Sequence, residues 1–391
     1  MIIRKCTLMG ALLLAGGYAQ ANDLQINGFL NVTAGALDNK AIAGSPATQT
    51  YDTTVGMDVN TLAGIQFQKK VNDSTSATLQ LVSRGQDGYS TEAAWAYVTF
   101  SPTDSTDIRF GRLRTPFFHY SEFLEVGYAY NWTTPPHIVY RLEDMSSYTG
   151  ADIVQRFTLG KADGYLQAFF GRYKDDFYFN AEKYEMELHN AFGFSGLINY
   201  GDFGARAGYQ QAKFFINGLV NDGTGTRFLD NAAFLLGNGG APGMAPIKDY
   251  VPQGDISAFT QASLFWDNGS TSVVAEYTWL RHDSHILVDD DAWLVTAAQR
   301  LGEYTVHLTY AQQDDKVKKG APQIAQKFAE QKDSSTTLGV RWDYNTSTAF
   351  KVEASYITKE DASARMATFD PTAPLKYSSG TLFAIGMNLI F

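Results

Sequence analysis

Stretches in which apolar and polar residues alternate recur along this chain, and the connectors between them are alternately short and long. Sixteen stretches are marked: 24–35, 63–69, 76–83, 93–100, 107–113, 152–159, 164–171, 189–199, 203–211, 256–266, 272–280, 292–299, 304–311, 336–344, 349–358 and 381–391. Period-two alternation marks a β-strand with two unlike faces. Seven connectors are short and turn-like, at 71–75, 101–106, 160–163, 200–202, 267–271, 300–303 and 345–348. The eight between and around them are longer. An antiparallel barrel in a membrane sorts its connectors this way, with turns at one rim and loops at the other. A soluble β-sandwich would not, and a β-propeller would repeat every ~40–50 residues.

The parities say which side each strand turns to lipid. In the last stretch Phe383, Ile385, Met387, Leu389 and Phe391 share one face. Ala384, Gly386 and Asn388 share the other, and Ile390 breaks the pattern. An open edge this greasy invites aggregation, whereas a closed barrel in lipid has no edge and needs the face. Tyr304, Val306, Leu308 and Tyr310 face out against Thr305, His307 and Thr309. Leu338, Val340, Trp342 and Tyr344 face out against Arg341 and Asp343. Phe350, Val352, Ala354 and Tyr356 face out against Lys351, Glu353 and Ser355. A charge facing lipid at mid-bilayer costs about 2–4 kcal/mol, so parity is a usable constraint. Stretch 292–299 is apolar on both faces, and parity does not orient it.

Residues 1–21 read as a cleaved export signal. Arg4 and Lys5 precede an apolar run at 7–17, and Ala19-Gln20-Ala21 is a small-x-small cleavage site. The run is too short to cross a bilayer of ~30 Å. Residues 22–391 then form one barrel. The single cysteine, Cys6, lies in the signal, so the barrel has neither a disulfide nor a thiolate metal site. Without Arg4 and Lys5 the chain has 29 basic and 41 acidic residues, a net −12, which argues against a nucleic-acid partner.

On these residues the chain resembles the general Gram-negative porins. The resemblance spans 22–391 and rests on the export signal, the strand-and-turn rhythm and the terminal stretch, which looks like the assembly signal of outer-membrane barrels. It also rests on Phe110-Gly111-Arg112, similar to the fifth-strand motif before the porin constriction loop. It implies an all-β fold, a sixteen-stranded antiparallel transmembrane β-barrel whose third loop folds inward. It further implies a cell outer membrane location, a homotrimer surrounded by lipid and lipopolysaccharide, and passive diffusion of ions and small hydrophilic solutes. No catalytic residue, cofactor or metal is implied.

The third loop, 115–150, is the candidate constriction, since a narrow polar ring sets the selectivity of a pore. Pro116, Pro135 and Pro136 stiffen it, and Glu122, Glu125, Glu143 and Asp144 give it acid. The other reading is an external flap against a neighbour or lipopolysaccharide. On the wall, parity turns Arg84, Arg156, Arg206 and Arg341 inward, and the family motif adds Arg112. Parity alone would turn Arg109 inward in place of Arg112, unless a bulge at Gly111 resets the face. Phe118, Tyr120, Tyr128, Tyr130 and Trp132 could form an aromatic track like that of sugar-selective porins, or simply pack the loop. Asp289 to Asp291, Asp314 and Asp315 read as outer-loop acids that oppose the wall arginines, leaving ion preference open.

Other functions find less support. A barrel hydrolase would need a nucleophile, a histidine and an acid at one rim, and Ser284 between His282 and His285 is the one candidate. The same segment with Asp289 to Asp291 could hold a divalent cation, but reads better as a solvated loop. The glycine-rich stretch 223–243 carries no phosphate or dinucleotide fingerprint. Loops 212–255 and 312–335 are long enough to act as a surface receptor beside a pore.

Overall fold

The computed structural model describes residues 24–43, 45–142, 145, 147–179, 182–216, 252–284, 287–316, 318, 332–361 and 376–391. The export signal, Glu143, Asp144, His285 and the glycine-rich stretch lie outside these. Sixteen strands form one closed antiparallel barrel in which each strand pairs with its neighbours in sequence. They are β1 Leu24–Leu37, β2 Leu62–Asn72, β3 Thr75–Arg84, β4 Thr91–Thr103, β5 Thr106–Arg114 and β6 Ser147–Leu159. Next come β7 Ala162–Phe179, β8 Glu182–Tyr200, β9 Phe203–Ile216, β10 Gln253–Asp267 and β11 Thr271–His282. The last are β12 Asp289–Leu301, β13 Tyr304–Lys316, β14 Lys332–Asn345, β15 Thr348–Asp361 and β16 Lys376–Ile390.

All seven short connectors are hairpin turns at one rim. Closure joins β1 to β16, with Leu30 opposite Leu389 and Thr33 opposite Gly386. Beyond the last strand, Phe391 and Gly28 exchange both backbone hydrogen bonds, at 2.7 and 3.0 Å. The alternating faces behave as expected: Leu308, Leu338, Val352, Phe383 and Ile385 stand exposed on the outside. Their solvent is lipid.

The apolar core lies in the lumen. The third connector folds inward and carries the helix α1, His137–Tyr140. Its Phe117, Phe118, Ile138, Val139 and Tyr140 pack against Phe259 of β10, Ala292 and Leu294 of β12, and Ala311 of β13. This explains the two apolar faces of β12: Ala292 and Leu294 face inward beneath the loop, while Val295 faces lipid. Ile390, the exception on β16, packs inward against the cluster of Phe29, Val82, Ala94 and Val126.

One expectation needs correction. Asp289, Asp290, Asp291, Asp314 and Asp315 are on strands β12 and β13, not in outer loops. Of these, Asp290 and Asp315 meet Arg141 at 2.5 and 3.5 Å, and Asp291 meets Arg281 and Lys316. The first connector also turns inward, although no residue pattern in it marks this. Its Ser45 donates to Asp333 at 2.5 Å, and Ala47 rests on the third-loop cluster.

Candidate functional site

Three sets of polar contacts tie the third loop to the wall. At its start, Arg206 of β9 donates to the Pro116 carbonyl at 2.7 Å and to Gln261 at 2.5 Å. Glu276 of β11 accepts from the His119 amide at 2.7 Å, from the Tyr140 hydroxyl at 2.6 Å and from Gln261 at 2.8 Å. One buried carboxylate thereby joins the two legs of the loop. Burial and the nearby Arg206 push the His119 imidazole down to about 3, so it is neutral.

In the middle of the loop, cations hold backbone carbonyls. Lys351 of β15 is fully buried and donates to the carbonyls of Gly127 at 2.6 Å and Trp132 at 2.5 Å. Arg341 of β14 donates to the carbonyls of Tyr128 at 2.7 Å and Tyr130 at 2.9 Å. Glu353 accepts from the Thr133 amide at 2.8 Å, and the Trp132 indole donates to Thr309 at 2.8 Å. Bonds to charged groups are the stronger class, and here both partners are out of water.

The third set docks the loop on the closure seam. Asn31 of β1 donates to the Glu125 carbonyl at 2.9 Å and accepts from the Gly127 amide at 3.2 Å. Asn388 of β16 donates to Asn31 at 2.9 Å. A side chain at Gly127 would collide with both asparagines, so the close approach requires glycine.

Around these anchors the arginines divide into three groups. Arg84, Arg112 and Arg114 converge on two carboxylates, Glu92 and Glu125. Arg84 contacts both acids, Arg114 meets Glu125 at 2.6 Å, and Arg112 lies 3.6 Å from Glu92. Burial pushes the Glu125 carboxyl up, but Arg114 and Arg84 outweigh it and hold it below the ordinary carboxylate range. Arg206 and Arg341 are loop anchors, buried beneath what they hold. Arg156 pairs with Asp107 beside the turn at Ser105, away from the loop.

The competition between Arg109 and Arg112 has a structural answer. Arg109 turns inward and grips Asp152 of β6 through two bonds, at 2.8 and 2.6 Å. Gly111 then takes φ 138°, a backbone conformation that favours glycine, and beyond it Arg112 and Arg114 reach Glu92 and Glu125. Both arginines therefore contact acids of the barrel interior. Glu122, on the loop, lies within electrostatic reach of Arg109, Tyr97 and Tyr165.

The five aromatics do not form a displayed track. Phe118, Tyr130 and Trp132 are buried, and Tyr120 packs edge-on to Trp132 at 5.5 Å. Tyr128 lies under the Arg341 guanidinium at 4.7 Å. They fill the space between loop and wall because that space is dry. Sequence reasoning passed over Glu92, Arg114, Asp152 and Glu276 as site residues. Lys351 and Glu353 carried a signal: parity put two charges inward on one strand, which implies partners inside. The His282 ring bonds to Ser257 at 2.7 Å.

The sequence pattern of the family described as Gram-negative porin matches residues 7–364. The chain belongs to that family: it is an outer-membrane channel for passive diffusion of small solutes. No curated protein matches the sequence. Among solved structures, the outer membrane channel DcaP of Acinetobacter baumannii is similar at TM-score 0.61 and 11% identity, over 97% of this chain and 100% of that one. The anion-selective porin from Comamonas acidovorans is similar at TM-score 0.54 and 14% identity, over 94% and 99%. OmpT of Vibrio cholerae, an outer membrane protein solved in a trimer form, gives 0.53 and 14%, over 94% and 99%.

Proposed function

We propose that solutes pass between the third loop and the wall of β3 to β7, and that this gap sets the selectivity of the channel. The observation that carries the reading is the convergence of Arg84, Arg112 and Arg114 on Glu92 and Glu125 where the third loop meets the wall. Arg112 is the most loosely held of the three, at 3.6 Å from its acid. A low-dielectric wall focuses its field into the gap. Glu122 supplies the opposite charge from the loop side. The combination favours small anions modestly and admits neutral hydrophilic solutes.

The chain works as a channel without catalysis. The packed aromatics give a sugar-stacking track no surface to act from. A homotrimer is supported by the trimer form of the similar Vibrio cholerae protein and by the exposed apolar residues Leu24 and Ile26 on β1 and Phe383 and Ile385 on β16. Residues 1–21 are the cleaved export signal of this reading.

The test is reconstitution of the purified protein in a planar bilayer. Insertion should raise the current in groups of three equal steps. A reconstituted protein that carries no current, or that opens in single unlinked steps, contradicts the channel or the trimer respectively.

A further inference from the structure

An apolar recess of about 90 Å³ lies inside the barrel, between the legs of the third loop and the wall of β6 to β11. It separates two apolar clusters. One contains Phe117, Leu142 and Phe259, and the other contains Tyr148, Phe169 and Ala212. The wall residues among these face inward, toward what is elsewhere a polar lumen. Parity alone does not require that, because an inward strand face in a channel is normally wetted. At the recess, Leu188, Phe214 and His282 are only partly buried, whereas Phe169, Tyr148 and Phe259 are buried. The site thus has a dry floor and an open rim.

Among the described residues, one polar atom in the lining has no partner. Gln210 of β9 is 8% exposed, and its Oε1 accepts no hydrogen bond from the described residues. An unmet buried acceptor costs about 1–3 kcal/mol, so a donor brought to it is rewarded. A closed apolar cavity of roughly 150 Å³ takes a benzene ring. This recess is smaller but open at its rim, so one ring fits with its edge in and its far side toward the lumen. Tyr148 and Phe169, 4.7 Å apart and tilted by 34°, give that ring aromatic neighbours.

We infer that the recess is a binding site for small solutes that carry one aromatic ring and a hydrogen-bond donor, of the phenol type. The ring lies between the Phe117 and Phe169 clusters, and its O–H donates to Gln210 Oε1. The position suits a holding station on the way to the gap. Tyr148, which lines the recess, donates to Asp152 at 3.2 Å, and Asp152 in turn holds Arg109. The inference rests on the reading of the lumen as a passage, but binding can be measured without current.

Phenol and anisole are offered to the purified protein in one detergent, and saturation transfer from protein to ligand is read by NMR. The ring is common to both probes, and only phenol donates. Wild-type protein should saturate phenol several-fold more strongly than anisole. Ala212→Phe, which fills the recess, should lose at least four-fifths of the phenol signal. Gln210→Leu, close in size, should keep ring binding and lose the preference for phenol. Both variants should still conduct, which shows that they are folded. If Ala212→Phe does not conduct, Gln210→Leu alone decides. Equal signals from wild type and Gln210→Leu, with no preference for phenol, overturn the proposal. Wild-type protein without current would count against the channel and not against this site.

Discussion

The ammonium of Lys351 is fully buried and donates to the Trp132 carbonyl at 2.5 Å, fixing the third loop to strand β15 from beneath. The same ammonium holds the Gly127 carbonyl at 2.6 Å and lies 4.8 Å from the centre of the Tyr130 ring. Few side chains can do this. The buried amine keeps its hydrogen bonds out of water because two loop carbonyls replace its hydration, with the Tyr130 ring packed beside it.

Replacing Lys351 by methionine keeps the volume and removes the donor. Each bond to a charged group is worth about 1.5–3 kcal/mol, so the loop anchor should weaken by roughly 3 kcal/mol. The expected outcome is a folded barrel with flickering, variable single-channel current and a lower thermal unfolding temperature. A steady current equal to that of the wild type would show that the loop is held elsewhere.

Gly111→Ala should be costly for a different reason. The residue sits at φ 138°, and an added Cβ would collide with the Ala96 carbonyl of the preceding strand, β4. Backbone strain of this kind costs about 1–3 kcal/mol. The turn of the chain at Gly111 also aims Arg112 and Arg114. The variant should therefore fold in lower yield and lose anion preference along with stability. Wild-type selectivity in this variant would separate the kink from the arginines.

Glu125 gives the loop a dependence on pH. Its carboxyl is held below the ordinary value by Arg114 and Arg84, so the unfolded chain takes up its proton first as pH falls. Its contribution to stability is complete above about pH 4.5 and is lost as pH drops through the lowered folded value. Channel current should be steady from neutral pH down to about 5 and turn noisy below about 4. Glu125→Gln should be noisy at neutral pH and little changed by acid. An acid response that survives in Glu125→Gln would assign it to another group.

The strand count, the seven turns and most faces could be read from the sequence because lipid enforces them. A charge turned outward at mid-bilayer is expensive, so parity is nearly a steric rule for strands such as β13 to β15. The lumen imposes no such rule. Ala292 and Leu294 face inward because α1 covers them, a fact located more than a hundred residues away from β12. Arg206 and Arg341 point inward as parity requires, yet they hold carbonyls of the loop, because inward means water in one place and packed loop in another. The aspartates at the tops of β12 and β13 looked like loop charge because strands extend past the membrane without any change in composition.

The proposed selectivity zone has Glu122 on its loop side and Arg112 on its wall side. The most direct test is the zero-current potential under a salt gradient, measured for wild type, Arg112→Ala and Glu122→Gln in the same planar bilayer. Wild type should show a modest anion preference, Arg112→Ala a shift toward cations and Glu122→Gln a shift toward anions. Potentials unchanged in both variants, or shifted in the same direction, would contradict this placement of selectivity.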